Sequence, residues 1–328
     1  MAKTFLSFII PTYNSQRYIG KVLKSILKQK YPLKKIELII VDDNSSDFTI
    51  KEVNKYKKFF PFFKVIVKNR KIFKGAAIST NIGIEISKGD FICLVDSDAV
   101  LANNWINEIL LKFTDKRVGM AAGLIKTANS NNLWAAFAGR ELEDRYEALK
   151  DDEVDHLSTC NTIYRRELFK KIGLFNKDLY YGYDVDFSYR VRKMGYKILL
   201  VKRTFCLHFW KENLKDYVNQ VFNTGYARLQ MITKYQDKKI GGKISGLKLM
   251  AQVPMTLVFV ILFLASLLNR NFTYPFLFSV ILLFLIQLPQ TLRIIIKYHD
   301  FRFLVFPVIL VSRNIIWLWA YLLYNIRR

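Results

Sequence analysis

The chain has 328 residues, enough for one large domain plus an appendage. It carries 51 Lys and Arg against 27 Asp and Glu, a formal net charge of +24 that suits anionic partners: nucleic acid, an anionic membrane face or phosphorylated ligands. Cys93, Cys160 and Cys206 lie far apart, which excludes a zinc spacing and a disulfide framework and marks them as reduced core residues.

Met1-Ala2-Lys3 leads straight into a short apolar run with no secretory segment, so the first domain is expected in the cytosol. Phe5 to Ile10 reads as a strand halted by Pro11, and residues 15–30 show helical spacing through Ile19, Val22, Leu23, Ile26 and Leu27. A second buried strand, Ile36 to Val41, ends at Asp42-Asp43, with Asp47 as a helix N-cap beyond it. Phe59 to Phe63 is either an aromatic cluster or a membrane-dipping loop, and Lys64 to Val67 reads as a third strand. A helix from Gly75 to Ser87 precedes the strand Asp90 to Val95. This alternation predicts an α/β fold with a mostly parallel sheet and helices on both faces. In such sheets ligands bind beyond the carboxyl ends of the strands, where three polar clusters gather: Thr12/Tyr13/Asn14, Asp42/Asp43/Asn44 and Asp96/Asp98. Each alone is compatible with ordinary turn chemistry; together they describe a nucleotide pocket.

Asp96-Ser97-Asp98 carries the most chemistry. Strand alternation places both carboxylates on one side, where hard oxygens share a divalent cation; the competing reading is a solvated turn. Further on, Asp184 stands near a predicted helix N-terminus, where the dipole and free N–H groups favour its ionised form. An ionised carboxylate facing a metal–diphosphate is placed to take a proton from an attacking hydroxyl. The alternative makes Asp184 a cap and Asp186 a salt-bridge partner of Arg190. His208, after the strand Ile198 to Val201, reads as a metal ligand or as a packed aromatic-cluster residue. The segment 128–156, with Trp134, Arg140, Glu143, Asp144 and Arg145, is expected to border an acceptor.

The last ninety residues change character. Leu249 to Leu268 and Tyr274 to Leu292 are uncharged and long enough to cross a bilayer; Phe303 to Tyr324 is apolar apart from Arg313 and Asn314. That pair faces a partner helix, lines a cavity or lies in the interface. Lys234, Lys238, Lys239, Lys243 and Lys248 precede the first span, and Arg293, Lys297 and Arg302 lie between the second and third, against Arg270 alone between the first two. The basic bias predicts a multi-pass membrane protein with the large domain cytosolic, although three full spans leave Arg327 and Arg328 outside. The expected organisation is a catalytic domain over 1–235, a basic linker over 236–248 and a membrane region over 249–328.

Ser7 to Asn14, Glu37 to Asp47, Asn81-Ile82-Gly83-Ile84, Gly89-Asp90 and Asp96-Ser97-Asp98 occur in the order and at the distances of glycosyltransferase family 2. Asn161 to Phe175 and Gly182 to Tyr196 resemble its acceptor half, so the likeness covers roughly the first 230 residues. The resemblance implies a GT-A fold and inverting transfer from a nucleotide-sugar, a UDP- or GDP-sugar, with Mn²⁺ or Mg²⁺. It assigns Pro11, Thr12, Tyr13, Asn14 and Asp42 or Asp43 to the donor nucleotide, Asn81 to the donor site, Asp96 to the ribose or sugar, Asp98 to the metal and Asp184 to the base. His208 resembles a diphosphate- or metal-contacting histidine. Tyr183 replaces a usual Glu, and Thr80 a common Arg, leaving Lys74 or Arg70 for the phosphates. No Gln-x-x-Arg-Trp signature follows, which favours transfer of one sugar. Membrane attachment points to a lipid-linked or glycan acceptor. The alternatives are a polyprenyl-phosphate sugar synthase and a non-catalytic membrane or nucleic-acid-binding protein; no nucleic-acid motif occurs.

Overall fold

A computed structural model describes residues 4–69, 75–235, 243–244 and 246–326. Contacts divide the chain into one unit of residues 1–128 and 150–209 and a second of 129–149 and 210–328, not at a single cut near residue 235. Arg70, Lys74, Lys238, Lys239, Arg327 and Arg328 lie outside the described residues.

The first unit opens with β1 (Leu6–Thr12), α1 (Ile19–Leu27), β2 (Ile36–Asp42), α2 (Thr49–Asn54), β3 (Phe62–Val67), α3 (Ala76–Ile86), β4 (Phe91–Val95) and β5 (Ala99–Leu101). It continues through α4 (Trp105–Leu110) and β6 (Val118–Thr127). After α5 (Leu133–Glu147), which belongs to the second unit, come β7 (Asn161–Arg165), α6 (Arg166–Ile172), α7 (Tyr183–Lys193) and β8 (Lys197–His208). The eight strands form one sheet in the order β3-β2-β1-β4-β7-β6-β8-β5. The first four are parallel, as the alternating pattern predicts; β7 runs antiparallel to β4 and β6, and β5 antiparallel to β8. β1 and β2 are buried almost throughout, which is why they read as continuous apolar runs.

Pro11 does not halt β1. Pairing to β4 ends at Ile9, while pairing to β2 continues to Thr12 opposite Asp42, so Pro11 has one side without a ladder partner and is tolerated there. Glu37, buried within β2, accepts hydrogen bonds from Ser7 Oγ, Lys64 Nζ and the Lys88 N–H. Burial works against its charge, but those donors prevail and hold the carboxyl below its ordinary value. Gly89 has no room for a side chain: a Cβ there would stand 2.5 Å from the Ser7 backbone nitrogen. The Phe59–Phe63 segment is a local aromatic cluster, with Phe60 stacked on Phe63 and Phe5 edge-on to Phe62. The three cysteines are free and buried.

The second unit is helical: α5, α8 (Leu214–Lys234), α9 (Gly246–Leu268), α10 (Thr273–Tyr298) and α11 (Phe306–Ile326). Three stretches, 251–268, 270–298 and 301–326, are long and apolar enough to cross a membrane. The α9 and α10 stretches leave most of their residues exposed, whereas α11 buries nearly half. Phe137 of α5 packs on Phe303 and Phe306, and Trp317 of α11 packs with Tyr217 and Val221 of α8.

Candidate active site

The parallel register brings the first two motifs to one edge. Thr12 pairs with Asp42, and the Asp43 N–H donates to the Thr12 carbonyl at 2.7 Å. Asp42 is buried and committed: it accepts from Thr12 Oγ1 at 3.2 Å, and from the Ser45 hydroxyl and N–H at 2.6 and 2.8 Å. Asn14, in the left-handed region at φ 47°, accepts from the Ser46 N–H, and its own N–H donates to Ser45 Oγ. Asp43 pairs with Lys68 at 2.9 Å, both buried. These residues build a braced ledge at the strand ends, on which Tyr13 remains 45% exposed.

Asp96 and Asp98 come together by a turn, not by strand alternation. β4 stops at Val95, and the Ala99 N–H donates to the Asp96 carbonyl at 3.1 Å, reversing the chain into β5. β5 then pairs with β8, setting Ala99 opposite His208, and the Phe209 N–H donates to the Asp98 carbonyl. His208 Nε2 consequently lies 3.3 Å from Asp98 Oδ1, and ligand atoms of Asp96, Asp98 and His208 all fall within 4.8 Å of one another. Two carboxylates and one imidazole fit Mn²⁺ or Mg²⁺: hard oxygens dominate, and three protein ligands leave room for water or phosphate oxygens in an octahedral shell.

Asp184 enters from α7. Gly182, at φ 76°, adopts a left-handed turn before the helix, and the Asp186 N–H donates to its carbonyl. Asp186 is fully buried and paired with Arg190 at 3.0 Å, while Arg190 also donates to the carbonyls of Ile172 and Leu174. The structural pairing thus falls to Asp186, and Asp184 Oδ1 accepts the Val185 N–H at 2.9 Å. The helix start and its N–H groups favour the charge on Asp184, as expected, but they are not the largest influence on it. Burial raises its pKa and outweighs the opposing influence of His156 and of the backbone N–H groups. Asp96 is likewise pushed up to about 8, by burial first and then by the charges of Asp98 and Asp184. Tyr183 completes the cluster: its hydroxyl lies 3.4 Å from Thr159 Oγ1, and burial together with Asp96 and Asp184 raises its pKa well above the ordinary value.

His156 was not legible as a site residue. It belongs to a segment held beside β8 by Val154 N–H to Ile198 O and Leu200 N–H to Asp152 O, and it pairs with Asp155 at 3.2 Å. No motif surrounds it; its proximity to Asp184 arises from that irregular pairing. Asn81 does not join the donor ledge. Its Nδ2 donates to the Phe175 carbonyl and its Oδ1 accepts the Phe175 N–H, bracing a residue that packs edge-on against Tyr183. On α5, Glu143 accepts from Tyr298, Asp144 from Arg293 and Gln290, and Glu147 from Lys297.

Residues 7–173 match the model of glycosyl transferase family 2. The chain is similar to glycosyltransferase AglE of Haloferax volcanii, at 24% identity over 69% of this chain and 74% of the relative. It is also similar to a dolichyl N-acetyl-α-D-glucosaminyl phosphate 3-β-D-2,3-diacetamido-2,3-dideoxy-β-D-glucuronosyltransferase of Methanococcus voltae, at 26% identity over 70% of this chain and 74% of that one. Among solved structures it resembles a mannosyltransferase of Pyrobaculum calidifontis, determined with GDP-mannose and Mn²⁺, with a TM-score of 0.62 at 16% identity, covering 97% of this chain and 86% of that one. The mixed sheet, the acidic turn at its centre and the family match agree: the chain is a GT-A-fold member of glycosyltransferase family 2, a nucleotide-sugar glycosyltransferase with apolar C-terminal helices.

Proposed function

We propose that the protein is an inverting, metal-dependent glycosyltransferase that moves one sugar from a UDP- or GDP-sugar to a hydroxyl of a lipid-linked glycan at the cytosolic membrane face. The observation that carries this reading is the meeting of Asp96, Asp98 and His208 with the first turn of α7, where Asp184 and Tyr183 stand. Pro11, Thr12, Tyr13, Asn14, Asp42 and Asp43 form the ledge for the donor nucleotide, with Lys74 as a phosphate partner from the segment before α3. Asp98 and His208 would hold Mn²⁺ or Mg²⁺, with Asp96 beside them at the ribose or sugar. A cation held there would supply charge neutralisation for the diphosphate of the donor. Asp184 removes the acceptor hydroxyl proton as the oxygen attacks the anomeric carbon from the face opposite the leaving group. Its raised pKa makes it a stronger base than an exposed aspartate. The half-buried, neutral Tyr183 takes the place of a second carboxylate, and with Asp186 committed to Arg190 it leaves Asp184 as the proton acceptor on that turn.

The membrane reading rests on α9 and α10. Arg270 alone lies at their turn, while Arg293, Lys297 and Arg302 follow α10, so a two-helix crossing keeps the basic residues cytosolic. α11, packed along α8 through Trp317–Val221, Phe222–Trp319 and Tyr226–Tyr324 contacts, then lies at the cytosolic interface. Two crossings also return Arg327 and Arg328 to the cytosol, which three would not. A lipid acceptor is supported by the Methanococcus relative, whose name gives it a dolichyl-linked sugar phosphate.

The test is nucleoside-diphosphate release by detergent-solubilised protein across a panel of nucleotide-sugars, with and without a polyprenyl-linked glycan extract. We expect release from one donor, dependent on the extract, and a loss of about 10²–10⁴-fold in Asp184→Asn with donor binding retained. Near-normal turnover by that variant would instead indicate a phosphate acceptor, which is already ionised and needs no base.

A further inference from the structure

Between Arg17 and Lys58 the fully exposed charges have one sign. Lys21, Lys24 and Lys28 of α1 are exposed and spaced three and four residues apart, opposite the buried Val22, Leu23 and Ile26, so the outer stripe of the helix is basic. Exposed Lys34 and Lys35 precede β2, and exposed Lys57 and Lys58 stand between α2 and β3. β2 pairs in parallel with β3, Glu37 opposite Phe62, so these two lysine pairs lie at the amino ends of neighbouring strands. The carboxylates of the same stretch are engaged elsewhere. Glu37, Asp42 and Asp43 are buried, Glu52 pairs with Lys55, and Asp47 accepts the Gln16 and Thr49 N–H groups.

Topology gathers these lysines into one layer. The sheet steps outward from β1 to β2 to β3 and then back across β1 to β4. Right-handed crossovers therefore place α1 and α2 together on one face and α3 on the other, and α1 packs beside α2. Two aromatic side chains mark the ends of α2. Phe48, at its start, is 70% exposed with Lys51 Nζ 5.6 Å from its ring; Phe59, just beyond its end, is 45% exposed with Lys58 Nζ 5.2 Å away. Single exposed rings are ordinary, and an ordinary solvated face intersperses both signs of charge. Exposed phenylalanines beside lysines on a face of one sign have instead the composition of surfaces that lie in the head-group layer of a membrane.

We propose that the α1–α2 layer is a docking face for the anionic head groups of a bilayer. Each lysine near such a surface strengthens attachment by about fivefold, and Phe48 and Phe59 enter the interface between them. A nucleic acid would answer the charge, but a bilayer also takes the two rings, and the α9 and α10 stretches, long and apolar enough to cross one, keep it at hand. α1 runs from the carboxyl end of β1 to the amino end of β2, so the layer spans the sheet from the donor ledge to the opposite edge. A domain lying on it opens its site along the membrane surface, where a lipid-linked acceptor is presented. The placement rests on the membrane reading given above and not on the transfer chemistry.

The test uses the full chain in nanodiscs of phosphatidylcholine alone and of phosphatidylcholine with phosphatidylglycerol, with lysine acylation read by mass spectrometry. Lys24, Lys28, Lys34, Lys51 and Lys57 should be labelled about fivefold more slowly, or slower still, on the anionic discs. The protection should fade as added salt shortens the Debye length from about 8 Å to about 3 Å. Lys170 of α6 and Lys193 of α7, both exposed, should be labelled equally on the two discs. Lys24→Gln combined with Lys28→Gln should weaken docking by about tenfold or more, read as lost protection at Lys34 and Lys57, and Phe48→Ser should weaken it further. Equal labelling on neutral and anionic discs overturns the proposal, as does equal protection of Lys170 and Lys193. Stronger protection by an added oligonucleotide than by phosphatidylglycerol also overturns it and assigns the face to nucleic acid. Extraction with alkaline carbonate tests the anchor separately: release of the chain would remove the membrane-spanning reading, and labelling on anionic vesicles would still decide the docking face.

Discussion

Asp96→Asn should stabilise the metal-free protein, and should do so more as the pH rises. The Asp96 pKa is pushed up to about 8 in the fold, against roughly 3.9 for an aspartate in an unfolded chain. A folded value above the unfolded one means the folded state holds the proton more tightly, so its stability falls as pH rises from the unfolded value through the folded one. At about 1.36 kcal/mol per unit, the cost is about 1.5 kcal/mol near pH 5 and about 4 kcal/mol near pH 7. Asp96 is not wholly shielded from water, and solvent screening reduces the difference between those two conditions to about 1–2 kcal/mol. For a domain of this size that is a Tm change of roughly 2–8 °C. Asparagine keeps the shape and removes the titration. The assay is the Tm of detergent-solubilised wild type and variant in chelator, from about pH 5.5 to about pH 7.5. The variant-minus-wild-type difference should widen toward the higher pH and shrink when Mn²⁺ is added to both. Parallel pH profiles for the two proteins would refute the reasoning, because they would mean that the Asp96 carboxyl ionises as easily in the fold as out of it.

Two further outcomes follow from the same geometry. His156→Ala should move the acid limb of the kcat/KM profile to higher pH, because a protonated His156 favours the ionised form of Asp184; an unmoved limb would remove His156 from the site. Gly89→Ala should cost about 1–3 kcal/mol in chemical denaturation, since the new Cβ meets backbone at 2.5 Å (Ser7 N) and 2.8 Å (Leu6 C); an unchanged midpoint would show that the α3–β4 connection yields easily.

What the sequence discloses is what neighbouring residues decide. β1, β2 and β4 are legible because strands buried on both faces are continuous apolar runs, and the polar residues just after them must then lie at one edge. The acidic turn is legible as chemistry but not as geometry. Its two carboxylates meet His208 only because β5 pairs with β8, more than a hundred residues away, and no local pattern announces that pairing. Asp184 shows the limit more sharply. The local features favouring its charge are present, with a helix start and an N–H bonded to its oxygen, yet burial outweighs them and raises its pKa.

Arg313 extends the same argument to the membrane region. A charged residue within an apolar stretch marks an anomaly, but its meaning depends on Glu141 of α5, 172 residues earlier. Glu143, Asp144 and Glu147 on that helix bond to α10, so α5 is a strut of the apolar helices inserted into the middle of the catalytic sequence. The insertion ties one helix of the catalytic sequence to the apolar helices as well as to α8. Cutting the chain near residue 235 would therefore remove the α10 and α11 partners of Glu141, Glu143 and Asp144, and leave α5 packed on α8 alone, through Trp134 against Tyr217.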